Sequence, residues 1–427
     1  MSREAHIALF LNPIGEHPAA AGLSDHRYAG ASGLTRLAVE GEAALFDAVF
    51  IADSPAAGGP GTPKAAARDD ESGDHGRDRE RLTPKYEPLT LLSAIATRTS
   101  RIGLIATSST TFNEPYNLAR LFASLDLLSE GRAGWNAVTT SHPRAAANFG
   151  NTFWHDHAKR YDVAEEFLRV VEALWRRERS EIEHAGEHFR VAGPLDVPPS
   201  PQGRPVISQA GGSTAGVDLG ARHAEAIFTI QPTRAAAKRF SQRLRTAADA
   251  VGRRGADLRV LPGVIPYIAE TDAEALEYKR HLDDLADLNP LYPLTARYLH
   301  IDEQRLRDAP SEKAFPVDLL PDASSVDNSV GTFLHLVERI RQERLTVAQT
   351  LIAAAGGRHR EFVGTPEGFA DELGSWLGDG AADGFILMPP ATERDLPRFT
   401  ADVVPVLQHR GLFRTEYRGA TLREHLV

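Results

Sequence analysis

Cysteine is absent from all 427 residues of the chain. Disulfides, thiolate nucleophiles, zinc–thiolate sites and cysteine-ligated iron–sulfur clusters are thereby excluded. No run of 18 apolar residues occurs either, so no membrane-spanning helix and no membrane partner are expected. No long apolar stretch backs the opening Met1–His6, and no secretory signal is expected. Basic residues are outnumbered, 48 Lys and Arg against 58 Asp and Glu, for a net charge of -10. A nucleic-acid binder presents a basic face, so no nucleic-acid partner is expected. What remains is 42% hydrophobic, 25% charged and 7% aromatic. That is the balance of a soluble globular protein, and a cytoplasmic enzyme is the leading expectation.

Short β-rich runs alternate with helical patterns, which predicts βα units around a parallel sheet. Strands are expected at 6–12, 48–53, 101–107, 133–139, 206–210, 226–230, 260–265 and 384–388. Helices are expected near 32–46, 88–99 and 331–345, after Pro115 and over 157–176. In the last, Ala164, Phe167, Leu168, Val171, Leu174 and Trp175 line one apolar face. Eight strands with intervening helices predict an α/β fold, a (β/α)₈ TIM barrel with insertions. A doubly wound sheet is the runner-up, but Asn12-Pro13-Ile14-Gly15 is not the glycine-rich turn that would announce it. A single domain over 1–427 is expected. It would carry a Gly-, Pro- and charge-rich loop insertion at 54–84 and a larger insertion or lid at 286–360.

Several motifs could carry chemistry. Gly58–Lys64 lacks the Gly-Lys-Ser/Thr ending of a phosphate loop and reads as a linker. His155-Asp156-His157 has the look of a metal pair, but i and i+2 side chains diverge on a helix, so no metal is expected. His157 and Tyr161 stand one turn apart, where donors to a polar ligand would converge; a surface His–Tyr pair fits the same spacing. In Gln209-Ala210-Gly211-Gly212-Ser213-Thr214, Ser213 can cap a helix while free N–H groups face an anion. An ordinary βα turn with a serine cap is the equal alternative. Asp53 and Thr107 close strands two and three, and such positions face the active site of a barrel.

A longer pattern runs through Thr110-Thr111-Phe112-Asn113-Glu114-Pro115-Tyr116-Asn117-Leu118-Ala119-Arg120. It continues in Gly131-Arg132-Ala133-Gly134-Trp135-Asn136-Ala137-Val138-Thr139, Ser200-Pro201-Gln202-Gly203-Arg204-Pro205, Val363-Gly364-Thr365-Pro366-Glu367 and Gln408-His409-Arg410-Gly411-Leu412-Phe413. In order and over nearly the whole chain, this resembles the bacterial luciferase-like flavin monooxygenases. The nearer branch holds the nitrilotriacetate, dibenzothiophene-sulfone and long-chain alkane monooxygenases.

The resemblance implies a barrel enzyme that uses reduced FMN and O₂ to oxygenate a small organic substrate. The FMN would come from a separate NAD(P)H:flavin reductase, met transiently or through diffusion of the reduced flavin. It implies FMN contacts at Asp53, Thr107, His157, Tyr161, Gly211, Gly212 and Ser213, and a homodimer or homotetramer. A general acid or base is expected at His142, with His17 next; a structural role is the other reading of each. The loop at 54–84 departs from the family, and Thr140-Ser141-His142-Pro143 keeps the family histidine among different neighbours. Two other functions stay open: a non-catalytic flavin-binding relative, and a barrel lyase or isomerase acting on a phosphorylated substrate. A deazaflavin in place of FMN is a third variation, against which the Gln209–Ser213 motif speaks.

Overall fold

The computed structural model describes residues 4–53, 55, 86–140, 143–150, 157–176, 182–322, 325–326, 330–356 and 359–426, without the side chains of 143–144, 157–158 and 330–332. The 54–84 loop (Pro55 apart), the Gly58–Lys64 stretch, His142, His155 and Asp156 lie outside the described residues. So does the side chain of His157.

Eight parallel strands close into a barrel: β1 (His6–Phe10), β2 (Ala48–Ile51), β3 (Gly103–Ser109), β4 (Ala133–Val138), β7 (Val206–Gln209), β8 (Ala226–Thr229), β9 (Arg259–Ile268) and β11 (Gly384–Leu387). Closure is made by the pairing of β8 with β9. All eight expected strands form. The third runs from 103 to 109 rather than 101 to 107. A shift of two residues leaves every side chain on its expected face, because the strand period is two.

Alternation sorts the strands. Leu104, Ala106, Trp135, Ala137 and Ile207 pack outward against the helices. Ala8, Ala48, Phe50, Ile105, Val206, Ala226, Leu261 and Ile386 fill the lumen. The lower end is plugged by Leu422 and Leu426 from the C-terminal tail. Beneath β2, Asp47 accepts from the Ile7 N–H and pairs with His6 and Arg414, and all of these lie buried. Burial opposes the charge on Asp47, yet Arg414 and His6 hold its carboxyl below the usual range. A buried pair is costly to break, so this end of the barrel is built for stability.

Three features go beyond the sequence reading. Residues 182–205 contain a hairpin, β5 (Glu183–Ala185) and β6 (Arg190–Ala192), three residues a strand. Its half-exposed residues give no alternating apolar signal. Glu166 anchors it, accepting from His184 and from the His188 and Phe189 N–H groups. Next, β10 (Arg360–Gly364) pairs with the far half of β9, outside the eight-strand closure.

The third feature is the connection from β9 to β10, which runs through helices Asp272–Asp284, Tyr292–Leu299, Glu303–Arg307, Val330–Glu343 and Val347–Ala355. A separate apolar cluster that includes Leu299, Leu306, Phe315, Phe333, Leu336 and Leu351 holds it together. Among the described residues, no helix is long and apolar enough to cross a membrane, and no group of three or more metal-ligating side chains gathers.

Candidate active site

Strands of one direction put all their C-terminal ends at one mouth, where barrel enzymes carry their chemistry. Three parts of that mouth can be built from named residues.

The first is the turn after β7. Ser213 caps helix Thr214–His223, its Oγ accepting from the Gly216 N–H at 3.1 Å. Gly211 has no room for a side chain, since a Cβ would lie 2.3 Å from Gln209 Nε2 and 2.9 Å from the Gly216 Cα. Gly212 opens onto free space. Tyr161, in helix His157–Leu174, brings its hydroxyl to 3.4 Å from Ser213 Oγ. Arg243, from helix Arg234–Ala250, donates to the Gly212 carbonyl at 2.9 Å. Amide dipoles, two hydroxyls and a guanidinium thus meet at one helix start, a setting that suits an anion.

The two helices carrying Tyr161 and Ser213 are fastened by His223. Its Nδ1 meets Glu172 at 3.1 Å and its Nε2 meets Glu165 at 3.0 Å. Burial opposes a charge on the ring, but the two carboxylates outweigh it and raise its pKa above the ordinary histidine value.

The second part is the lumen wall. Thr107 is buried within β3, and its Oγ1 accepts from Asn136 Nδ2 at 2.9 Å. Below them, Phe50 packs at 6.1 Å on Phe10 and at 5.1 Å on Phe228. Phe228 in turn stacks on the His359 ring, 5.3 Å between centroids and 9° between planes. His359 follows the helical connection back into the barrel. It sits where a Cβ on Gly263 would come within 2.3 Å of its Nδ1.

The third part is the loop after β1. His17 is buried; its Nε2 contacts Asp283 at 3.1 Å and its Nδ1 accepts from the Ala19 N–H at 3.1 Å. Both ring nitrogens are engaged within the protein. Asp283 closes the helix that leads into the β9–β10 connection, so His17 ties that connection to the β1 loop.

Of the expected site residues, the structure brings Tyr161, Gly211, Gly212 and Ser213 together. Asp53 is exposed two residues beyond β2, and Thr107 lies in the neighbouring strand β3. His17 stands apart, on Asp283. Asn136, Arg243 and His359 were not singled out. Asn136 could have been found from strand alternation, as an amide on the lumen face opposite Thr107. Arg243 and His359 come from distant segments and leave no local signal.

The luciferase-like monooxygenase family model matches residues 11–373. The chain belongs to the luciferase-like monooxygenase family. It is a monooxygenase. It is 41% identical to nitrilotriacetate monooxygenase component A of Aminobacter aminovorans over 90% of this chain and 87% of that protein. It is 38% identical to the N-acetyl-S-(2-succino)cysteine monooxygenase of Bacillus subtilis (strain 168), over 91% and 88%. The structure of EDTA monooxygenase from Chelativorans sp. BNC1 superposes with a TM-score of 0.79 at 33% identity, covering 99% of this chain and 98% of that one.

Proposed function

We propose that this luciferase-like monooxygenase is the oxygenating component of a two-component system. It takes reduced FMN from a separate NAD(P)H:flavin reductase and inserts one oxygen atom from O₂ into a small organic substrate. One observation carries the reading: the relation along almost the full length to a protein named as component A of its system. Solved structures of the same fold, one of them a riboflavin lyase at 28% identity and a TM-score of 0.80, are described with FMN or a modified FMN.

The residues at the mouth fit the group. The turn at Gly211–Ser213 offers N–H groups and a hydroxyl to a phosphate, and Gly212 leaves it space. Tyr161 adds a second hydroxyl and Arg243 a cation. His157, one turn before Tyr161, would reach the phosphate or the ribityl chain. Asp53 and Thr107 would lie nearer the ring. Bound reduced FMN supplies the electrons that activate O₂.

The protein supplies binding, orientation and exclusion of water. The aromatic floor of Phe10, Phe50 and Phe228 keeps the lumen dry from below. The connection 286–360 would close it from above as a lid. His142, just beyond β4, would serve as general acid or base. His17, with both nitrogens engaged, would act by holding the β1 loop to the base of the lid.

The test is a substrate screen with FMN, NADH and a generic flavin reductase, read as a mass gain of one oxygen atom. Nitrilotriacetate, EDTA, a sulfone, a sulfide and an alkane make the first panel. No oxygenated product from a broad panel, with hydrogen peroxide as the sole outcome, would favour a flavin-binding relative without turnover.

A further inference from the structure

Three polar side chains form one row across the lumen wall. Thr107 is the register partner of Asn136 on β4, and Asn136 is the partner of Ser208 on β7. They are 3%, 3% and 2% exposed. Neighbouring Trp135 and Ala137 pack outward in the helix-side core, so alternation turns Asn136 into the lumen.

The two ends of the Asn136 amide differ. Its Nδ2 donates to Thr107 Oγ1 at 2.9 Å. Its Oδ1 is buried and has no hydrogen-bond partner among the described residues. Buried acceptors without a donor are rare in folded proteins, because the lost hydration is not replaced. Asn136 therefore offers the lumen a lone acceptor, held in place by Thr107.

An acceptor welcomes an N–H and repels another acceptor. The central ring nitrogen of a flavin is an acceptor in the oxidised ring. Reduction by two electrons, with uptake of a proton, turns it into an N–H donor. We propose that Asn136 Oδ1 accepts the N–H that only the reduced ring carries, and that this residue makes the site prefer reduced over oxidised FMN. This rests on the FMN reading of the mouth given above. Asn136 would then be a positioning residue that favours arrival of the reduced cofactor and release of the spent one.

The experiment measures oxidised and reduced FMN separately, the latter under anaerobic conditions. They are titrated against the unaltered protein, Asn136→Leu and Asn136→Asp. The unaltered protein is expected to bind the reduced form more tightly. Asn136→Leu should lower that preference about tenfold, equal to about 30 mV in the midpoint potential of the bound two-electron couple. Asn136→Asp keeps an acceptor in place and should keep the preference. Asn136→Ala replaces the leucine variant if the latter does not fold, as judged by the near-ultraviolet dichroism of the tryptophans. Equal weakening of both forms would overturn the proposal, since Asn136 would then meet a group present in either state. An unchanged preference in a folded variant would overturn it too. If the unaltered protein binds neither form, the FMN reading itself fails, and that arm alone reveals it.

Discussion

The Tyr161 hydroxyl lies 3.4 Å from Ser213 Oγ across 52 residues of sequence. One side chain comes from the first turns of a long helix, the other from the cap of a short one. A cap serine is already occupied by its own helix, and this one also faces a second hydroxyl and open space. That double engagement is why the proposed phosphate site is placed at this cap.

Ser213→Gly should separate the two roles. Glycine costs a cap only a few tenths of a kcal/mol. Loss of one hydrogen bond to a charged group should weaken binding of reduced FMN by about 1–3 kcal/mol. Anaerobic titration measures it. Unchanged affinity in the variant would move the phosphate elsewhere.

His223 gives the site a pH dependence. Its folded pKa is raised by Glu165 and Glu172, so its contribution is fully present below the unfolded value near 6.5. It is lost as pH rises through the higher folded value. Thermal unfolding of His223→Gln compared with the unaltered protein should show a deficit of about 1–3 kcal/mol at pH 6 that shrinks by pH 9. A deficit that grows with pH would contradict the assignment.

Gly263 leaves the space that His359 fills. Gly263→Ala would put a methyl group 2.3 Å from His359 Nδ1 and 2.8 Å from Met388 Sδ. The ring must move, at a cost of about 1–3 kcal/mol in stability. Product formation is expected to fall severalfold while FMN affinity, proposed to rest on the turn at Gly211–Ser213, changes little. Equal loss of both would mean that the substitution disturbs the whole mouth.

Much of this fold was legible because strand alternation and helix periodicity are written in local sequence. All eight barrel strands came from short apolar runs such as Ala48–Ile51 and Gly384–Leu387. The hairpin Glu183–Ala192 escaped because its strands pack little apolar surface. The strand Arg360–Gly364 escaped because it pairs outside the closure that the βα count describes. At the site, Gly211–Ser213 and Tyr161 were visible as a turn signal and a helix position. The Thr107–Asn136 bond, the Arg243 contact and the His359 stack are set by tertiary approach, which no single stretch encodes.

His142 follows β4 in the sequence and is expected to handle a proton near the substrate. His142→Ala should lower product formation by roughly 10²–10⁴-fold, the usual scale for a general acid or base, with FMN affinity nearly unchanged. Steady-state product yield and anaerobic FMN titration together check this. A proportional loss of both would make His142 a cofactor or structural group.

This chain is proposed to oxygenate with reduced FMN delivered from elsewhere. The most direct measurement supplies the purified protein with FMN, NADH, a substrate it accepts and isotopically heavy O₂, with and without a generic flavin reductase. One heavy oxygen is expected in the product when the reductase is present, and no NADH consumption when it is omitted. Steady NADH oxidation by the protein alone, or product oxygen drawn from water, would contradict it.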